Sequence, residues 1–158
     1  RHPGGLVVIT TQGPHGPVAL TASSLASVSA DPPLMVFSLS ANSSSTPFVV
    51  AAQTAVVHFI DAESMHIAKL AATSGVDRFA DTTQWSRLDT GEPVFHDVPV
   101  WIRVHPIERL TAGNSTVVLA QGVEASLPAE SLRELGPRDG LAYVNHEWHR
   151  LDPRSRVE

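Results

Sequence analysis

Seven short runs of β-branched and other apolar residues, bounded by Gly, Pro, Asp or Asn, constrain the fold of this chain most strongly. Runs of this kind are typical of β-strands. They cover residues 4–11, 17–25, 34–40, 54–60, 98–110, 115–125 and 141–145. Because these runs outnumber the helical segments and do not alternate with them, the pattern favours an antiparallel barrel over a parallel βαβ sheet.

Helix signals occur at three places between the strand runs. The predicted helices cover residues 47–53, 62–74 and 128–135. We expect Thr46 to be the N-cap of the first helix, with Pro47 at its first helical position. We expect Asp61 to cap the second helix and Gly75 to take the left-handed conformation after it. Ile67, Leu70 and Ala71 share one face of the second helix, so we expect this helix to lie on the barrel.

Composition limits the classes of protein that remain. With 158 residues, 42% of them hydrophobic, the chain is long enough for one domain with a true core, which we expect to span residues 1–158. The net charge of -5 comes without the basic surface that nucleic acids require. No apolar segment is long enough to span a bilayer. Zero cysteines exclude disulfides and thiolate sites, and we expect a cytoplasmic protein.

Common catalytic motifs do not occur in the sequence. It lacks the glycine-rich dinucleotide fingerprint after a strand, the P-loop, and the Gly-x-Ser-x-Gly elbow of hydrolases. The segment 146–149 has two histidines three residues apart, and on a strand these would point to opposite faces. No third ligand accompanies them, so we expect no metal site.

Hydroxyl groups occupy one predicted strand region where a core strand would be apolar. Residues 21–34 contain Thr21 and four serines, between an apolar strand and the apolar run 34–37. Such hydroxyls, together with backbone amides, can hold a polar anionic ligand without any charged side chain. The alternative is a serine-rich hairpin turn, because Ser, Asp and Pro gather where chains reverse.

A second hydroxyl-rich segment, 42–46, runs directly into the helix that Pro47 opens. The start of a helix offers unpaired N–H groups and the positive end of the helix dipole, which suit a phosphate group. The alternative is that Thr46 only caps the helix and that the serines are solvated. Because the two hydroxyl-rich segments are separated only by a hairpin, we expect both to contact one ligand.

These segments, taken together, resemble the flavin reductase domain family of FMN-binding split barrels. The resemblance rests on GLVVITT at 5–11, TASSLASVSADPPL at 21–34, NSSS at 42–45, DRF at 77–79, Tyr143, and HRL at 149–151. It implies a mainly β fold, a six-stranded antiparallel Greek-key split barrel with two or three peripheral helices. It also implies a homodimer that reduces FMN or FAD with NAD(P)H and supplies reduced flavin to a partner monooxygenase.

The resemblance also implies roles for individual residues. The flavin ring and ribityl chain would meet Thr21, Ala22, Ser23 and Ser24, with Ser27 and Val28 close behind. On the next strand, the backbone of Ser38, Leu39 and Ser40 would lie along the edge of the flavin. The loop on the phosphate side would contact the ligand through Ser44 and Ser45. Arg78 and Phe79 would close over the phosphate or the ring, and His149 would lie near the nicotinamide as the catalytic candidate. The alternatives are a surface ion pair between Asp77 and Arg78, and a solvated tail at His149.

One departure from the family pattern affects the second substrate. Many members carry Gly-Asp-His before the penultimate strand, whereas this chain carries Gly113, Asn114 and Ser115. The departure keeps open a flavin-binding module without turnover, such as a sensor or a storage protein. A related split-barrel oxidase of a phosphorylated small molecule is a further alternative, although its substrate would require clustered basic side chains.

Overall fold

The computed structural model describes residues 4–126, 139–144 and 147–155. Its strands are β1 (Gly4–Gly13), β2 (Gly16–Ala30), β3 (Pro33–Ser40), β4 (Ala55–Phe59), β5 (Trp85–Arg87), β6 (Pro93–Phe95), β7 (Trp101–Ala112), β8 (Ser115–Ser126), β9 (Gly140–Val144) and β10 (Glu147–Leu151). The helices in this part are α1 (Thr46–Ala51), α2 (Met65–Ala72) and a 3-10 turn, Pro153–Ser155. The predicted helix 128–135 lies outside the described residues.

Six antiparallel strands close into a barrel, as the sequence predicts. The order around the barrel is β1-β2-β3-β8-β7-β4, and β4 returns to pair with β1. The chain passes from β3 across to β4 on the far side of β1, which is a Greek-key connection. The hairpin of β9 and β10 extends the sheet, since Gly4 and Gly5 of β1 pair with Tyr143 and Ala142.

Strand β1 is buried on both faces, and the two faces belong to different clusters. Val7 and Ile9 point into the barrel and pack with the interior side chains of the other strands. Leu6 and Val8 point outward, where α2 and the segment around Phe95 cover them. Burial on both faces explains the unbroken apolar run in β1.

Strand β2 changes partner along its length, so its ladder with β3 is short. Its first part, up to Leu25, pairs with β1, whereas its ladder with β3 covers only residues 26–30. In the gap between β2 and β3, the Ser24 hydroxyl donates to the Ser38 carbonyl at 3.0 Å and accepts from the Ser38 N–H at 2.8 Å. The serine-rich stretch is therefore mostly β-strand, and the chain reverses direction at residues 31 and 32.

The helix starts differ from the predicted ones. Ser45, not Thr46, is the N-cap of α1, because the Thr46 hydroxyl donates instead to the Ser40 carbonyl at 2.7 Å. Helix α2 begins only at Met65, because Asp61 Oδ1 first accepts bonds from the Ser64 N–H and hydroxyl at 2.9 and 2.7 Å. Gly75 has the predicted positive φ, +76°.

The short hairpin of β5 and β6, which the sequence analysis missed, is attached to the barrel by buried polar contacts. His58 on β4 donates from Nδ1 to the Val8 carbonyl at 3.1 Å and accepts the Phe95 N–H at Nε2, at 3.2 Å. Its burial lowers the pKa of His58 to about 4. Arg103 Nε donates to Glu92 Oε1 at 2.9 Å, a second link from the hairpin to β7. Both contacts fix the hairpin against the outer face of the barrel.

Candidate functional site

A cavity of about 210 Å3 lies between the start of β2, the start of α1 and residues 76–79. We call it the Arg78 cavity. Its lining consists of Pro17, Val18, Ala19, Ser44, Ser45, Phe48, Val76, Asp77, Arg78 and Phe79. Four of the predicted site residues, Ser44, Ser45, Arg78 and Phe79, therefore meet in one place.

Three oxygen atoms hold the Arg78 guanidinium in the floor of this cavity. Nη1 donates to the Ala19 carbonyl at 3.1 Å and to Ser45 Oγ at 2.8 Å. Nη2 donates to the Thr73 carbonyl at 2.9 Å, just beyond the end of α2. The arginine thus links β2, the start of α1 and the end of α2, and its orientation is fixed before any ligand binds.

Arg78 keeps unused hydrogen-bonding capacity. Its Nε–H is buried and has no partner among the described residues. A guanidinium has five N–H donors, and within the described part of the chain Arg78 forms three bonds, none of them to a carboxylate. Partial burial lowers the pKa of Arg78, but arginine remains protonated at neutral pH. A charged, oriented fork without an acidic partner is the arrangement that binds phosphate oxygens.

The segment that carries Arg78 is held by its neighbours. Asp77 Oδ1 accepts the Phe79 N–H at 3.0 Å, so Asp77 closes a local turn rather than pairing with Arg78. Trp85 Nε1 donates to the Phe79 carbonyl at 3.0 Å, and the two rings meet edge to face at 5.0 Å. The Phe79 ring also stacks on Phe95 at 5.3 Å. The proposed ion pair of Asp77 with Arg78 is thus absent from the described residues.

A second cavity, of about 170 Å3, lies further along the same face of β2. We call it the Trp148 cavity, and its lining consists of Leu6, Thr21, Ser23, Ala72, Tyr143 and Trp148. The Tyr143 and Trp148 rings contact each other at 4.9 Å with an interplanar angle of 58°. Aromatic walls with two hydroxyl groups suit a flat heteroaromatic ring.

In the described residues, the two hydroxyl-rich segments line two different cavities. Ser44 and Ser45 line the Arg78 cavity, beside Pro17 and Ala19 of β2, whereas Thr21 and Ser23 line the Trp148 cavity further along that strand. The Thr21 hydroxyl donates to the Ala68 carbonyl of α2 at 2.6 Å, so it holds the helix against β2. The prediction of a single shared pocket is therefore replaced by two neighbouring cavities along one strand.

The other predicted binding residues lie outside both linings. Ala22 and Leu39 are buried in the barrel interior, where their side chains stabilise the core. Ser24 and Ser38 bond to each other across the gap between β2 and β3. Exposed positions are taken by Ser27, Val28 and Ser40. A role of these residues in ligand binding stays a prediction.

His149 is exposed on β10, in the strand position paired with Ala142. Successive side chains of a strand point to opposite faces, so His149 faces away from the cavity that its neighbour Trp148 lines. Its catalytic role stays a prediction. Tyr143 and Trp148 are the residues that sequence reasoning undervalued, and the aromatic residue on each strand of the final hairpin was the available signal.

Among the described residues, no three His, Asp or Glu side chains are placed to hold a metal ion. No helix of the described part has the length and apolar character needed to cross a membrane.

The turn between β7 and β8, where the sequence departs from the family pattern, supports the loop after β3. The Asn114 carbonyl in this turn accepts the Ala41 N–H at 2.8 Å. Gly113 in that turn has a φ of +60°, a conformation that favours glycine.

Known proteins resemble this chain over almost its full length. An NADH:FMN oxidoreductase of Rhodococcus qingshengii is 42% identical over 153 residues, which cover 97% of this chain and 78% of the relative. A flavin reductase domain protein from Arthrobacter sp. FB24 has a TM-score of 0.85 at 27% identity, covering 97% of this chain and 91% of that one. The NADH:FAD oxidoreductase SgcE6 of Streptomyces globisporus C-1027, in complex with NAD and FAD fragments, has a TM-score of 0.81 at 25% identity, covering 98% and 89%.

The family model of the flavin reductase like domain matches residues 1–152. The match extends from the start of β1 past the end of β10, so it includes every strand of the barrel and both cavities. The closed six-stranded barrel agrees with it. This chain therefore belongs to the family of flavin reductase-like domain proteins.

Proposed function

We propose that this chain is an NADH-dependent flavin reductase that reduces FMN or FAD by hydride transfer. The observation that carries the proposal is the Arg78 guanidinium, which is oriented by three bonds and has a buried N–H with no partner in residues 4–126, 139–144 and 147–155. The residues present fit a flavin phosphate at this point. The experiment described below also measures NADPH as the alternative hydride donor.

The phosphate of the flavin is assigned to the Arg78 cavity. Ser45 Oγ accepts a bond from Arg78, which leaves the hydroxyl proton available to a phosphate oxygen. Ser44, exposed at the rim, offers a second hydroxyl. Charge-assisted bonds of this kind are about twice as strong as neutral ones. Asp77 does not compete for the guanidinium, because its carboxylate accepts the Phe79 N–H.

The ring is assigned to the side of the Trp148 cavity. Ala19 contacts the Arg78 cavity and Ser23 contacts the Trp148 cavity, four residues further along β2. At about 3.3 Å per residue, these points are roughly 13 Å apart along β2. A flavin extended along β2 would therefore reach both cavities.

Bound flavin supplies the hydride-accepting chemistry, and the protein supplies binding and alignment. Arg78 and Ser45 fix one end of the molecule. Thr21 holds α2 over β2, and Tyr143 with Trp148 exclude water from the ring side. No strong acid, base or nucleophile is needed, which agrees with a site built of hydroxyls, one arginine and aromatic rings.

The proposal includes a homodimer, a partner oxygenase and a cytoplasmic location. Val28, Leu110 and Val123 are 54%, 65% and 50% exposed on three strands of the barrel, and a second copy would bury them. A flavin that one arginine holds by its phosphate can leave to reach an oxygenase. Light scattering of wild type and of Leu110→Glu tests the dimer: the wild type is expected as a dimer and the variant as a monomer.

The deciding experiment measures NADH and NADPH oxidation with FMN, FAD and riboflavin in turn. The proposal predicts turnover with NADH and a lower KM for FMN than for riboflavin, because riboflavin has no phosphate for Arg78. Binding without turnover would support the flavin-binding module, which the absence of an acid and an imidazole in the β7–β8 turn favours. No binding of any flavin would refute both.

A further inference from the structure

A smaller hollow of about 140 Å3 opens beside the Arg78 cavity. We call it the Phe48 annex. The turn between β1 and β2, residues 13–16, forms one wall, and Pro17, Val18 and Phe48 form the other. These last three residues also line the Arg78 cavity. The annex is therefore a continuation of that cavity, on the side away from Trp148.

Phe48 forms the boundary between the two spaces and is not packed into the core. Phe48 is 38% exposed, although it lies on the first turn of α1 between two well-buried residues, Thr46 and Val49. A Cβ added at Gly13 would lie 3.8 Å from the Phe48 ring and 2.9 Å from a Val18 methyl group. The turn thus approaches the ring closely, and a side chain at residue 13 would obstruct the wall.

The composition of the annex restricts what can bind there. Its lining includes two prolines, one histidine and one phenyl ring, and it includes no carboxylate. Prolines hold their backbone in one conformation, so this wall is preformed. An exposed aromatic ring next to a cationic phosphate site is the arrangement on which nucleobases stack in proteins.

We propose that the Phe48 annex binds the adenylate half of a dinucleotide, and that this dinucleotide is FAD. The inference rests on the proposed function, since it takes the flavin phosphate to lie at Arg78. FMN ends at that phosphate, whereas FAD continues through a second phosphate to adenosine. The three spaces follow one another along β2, so FAD would place its ring, its phosphates and its adenine in the Trp148 cavity, the Arg78 cavity and the annex.

Other occupants give different outcomes. The adenylate half of NADH has the same chemistry, and a second copy of the chain would also cover an exposed phenyl group. The flavin ring itself could stack on Phe48 instead of entering the Trp148 cavity. Each of these would change a quantity other than the preference for FAD over FMN.

The test compares dissociation constants of FAD, FMN and riboflavin for the wild type, Phe48→Ala and Phe48→Trp, measured by quenching of flavin fluorescence. Loss of a base-stacking ring weakens binding about 5- to 100-fold. Phe48→Ala is expected to weaken FAD by at least about fivefold more than FMN, and Phe48→Trp is expected to restore the preference. Ile107→Ala, which truncates an equally exposed side chain on β7, is the control and should leave the ratio unchanged.

Equal weakening of FAD, FMN and riboflavin in Phe48→Ala would overturn the inference and assign the flavin ring to Phe48. An unchanged FAD to FMN ratio, with a raised KM for NADH, would overturn it in favour of the nicotinamide dinucleotide. An unchanged ratio with loss of the dimer in light scattering would assign the ring to an interface. If the wild type binds no flavin at all, the proposed function itself fails, which is a different result from any of these.

Discussion

Replacing Arg78 with methionine removes the charge and the fork while keeping an unbranched apolar side chain. Three bonds, to Ala19, Ser45 and Thr73, disappear together with the contacts assigned to phosphate. A hydrogen bond to a charged group contributes about 1.5–3 kcal/mol. At about 1.4 kcal/mol per factor of ten, the loss of one such bond weakens FMN binding about 10- to 100-fold.

The assay measures KM for FMN and for riboflavin in wild type, Arg78→Met and Arg78→Lys. We expect Arg78→Met to raise KM for FMN by that factor and to change KM for riboflavin by less than about threefold, a step of under 1 kcal/mol. Arg78→Lys keeps the charge without the fork, so an intermediate KM is expected. Because Arg78 also joins three elements, the unfolding free energy of each variant is measured alongside. Equal losses for FMN and riboflavin would refute the assignment of the phosphate to Arg78.

Three further predictions concern other residues. His58 is neutral in the fold, with its pKa lowered from 6.5 to about 4, so the folded state binds fewer protons than the unfolded chain between these values. Its contribution to stability is complete above about pH 6.5 and falls by about 3 kcal/mol as the pH drops through 4. A titration of the assigned His58 imidazole NMR signal near pH 6.5 would contradict this. Ser24→Ala should lower the unfolding free energy by about 1–3 kcal/mol in urea, because both polar groups of Ser38 lose their partner, whereas Ser27→Ala should change it by less than about 0.5 kcal/mol. His149→Ala should retain kcat within about twofold (under 0.5 kcal/mol), since the side chain faces away from the Trp148 cavity, and a tenfold drop would instead support its catalytic role.

The barrel could be predicted because its signal is local. Each strand of the barrel carries its own β-branched run, and the turn residues between the runs fix where the chain reverses. Val7, Ile9 and the other interior residues alternate with neighbours that either face solvent or contact α2. The sequence also singled out Arg78 and Ser45, which bond to each other in the structure, because their segments match the family pattern in order and spacing.

The division of the site could not be predicted, because it depends on where α2 packs on β2. That packing is set by contacts between distant segments, such as Thr21 with Ala68 and Arg78 with Ala19, and no local pattern in the sequence marks it. The β5–β6 hairpin was missed because three-residue strands carry too little pattern. The exposure of Phe48 was equally hidden, since a phenylalanine early in a helix ordinarily indicates a buried face.

Anaerobic mixing of the purified chain with NADH and a large excess of FMN tests the central claim most directly. The account predicts that the yellow colour of the whole FMN pool disappears in many turnovers per chain, and that Arg78→Met requires a higher FMN concentration for the same rate. If only one equivalent of FMN per chain is reduced, or none, the account of a flavin reductase with its phosphate site at Arg78 is contradicted.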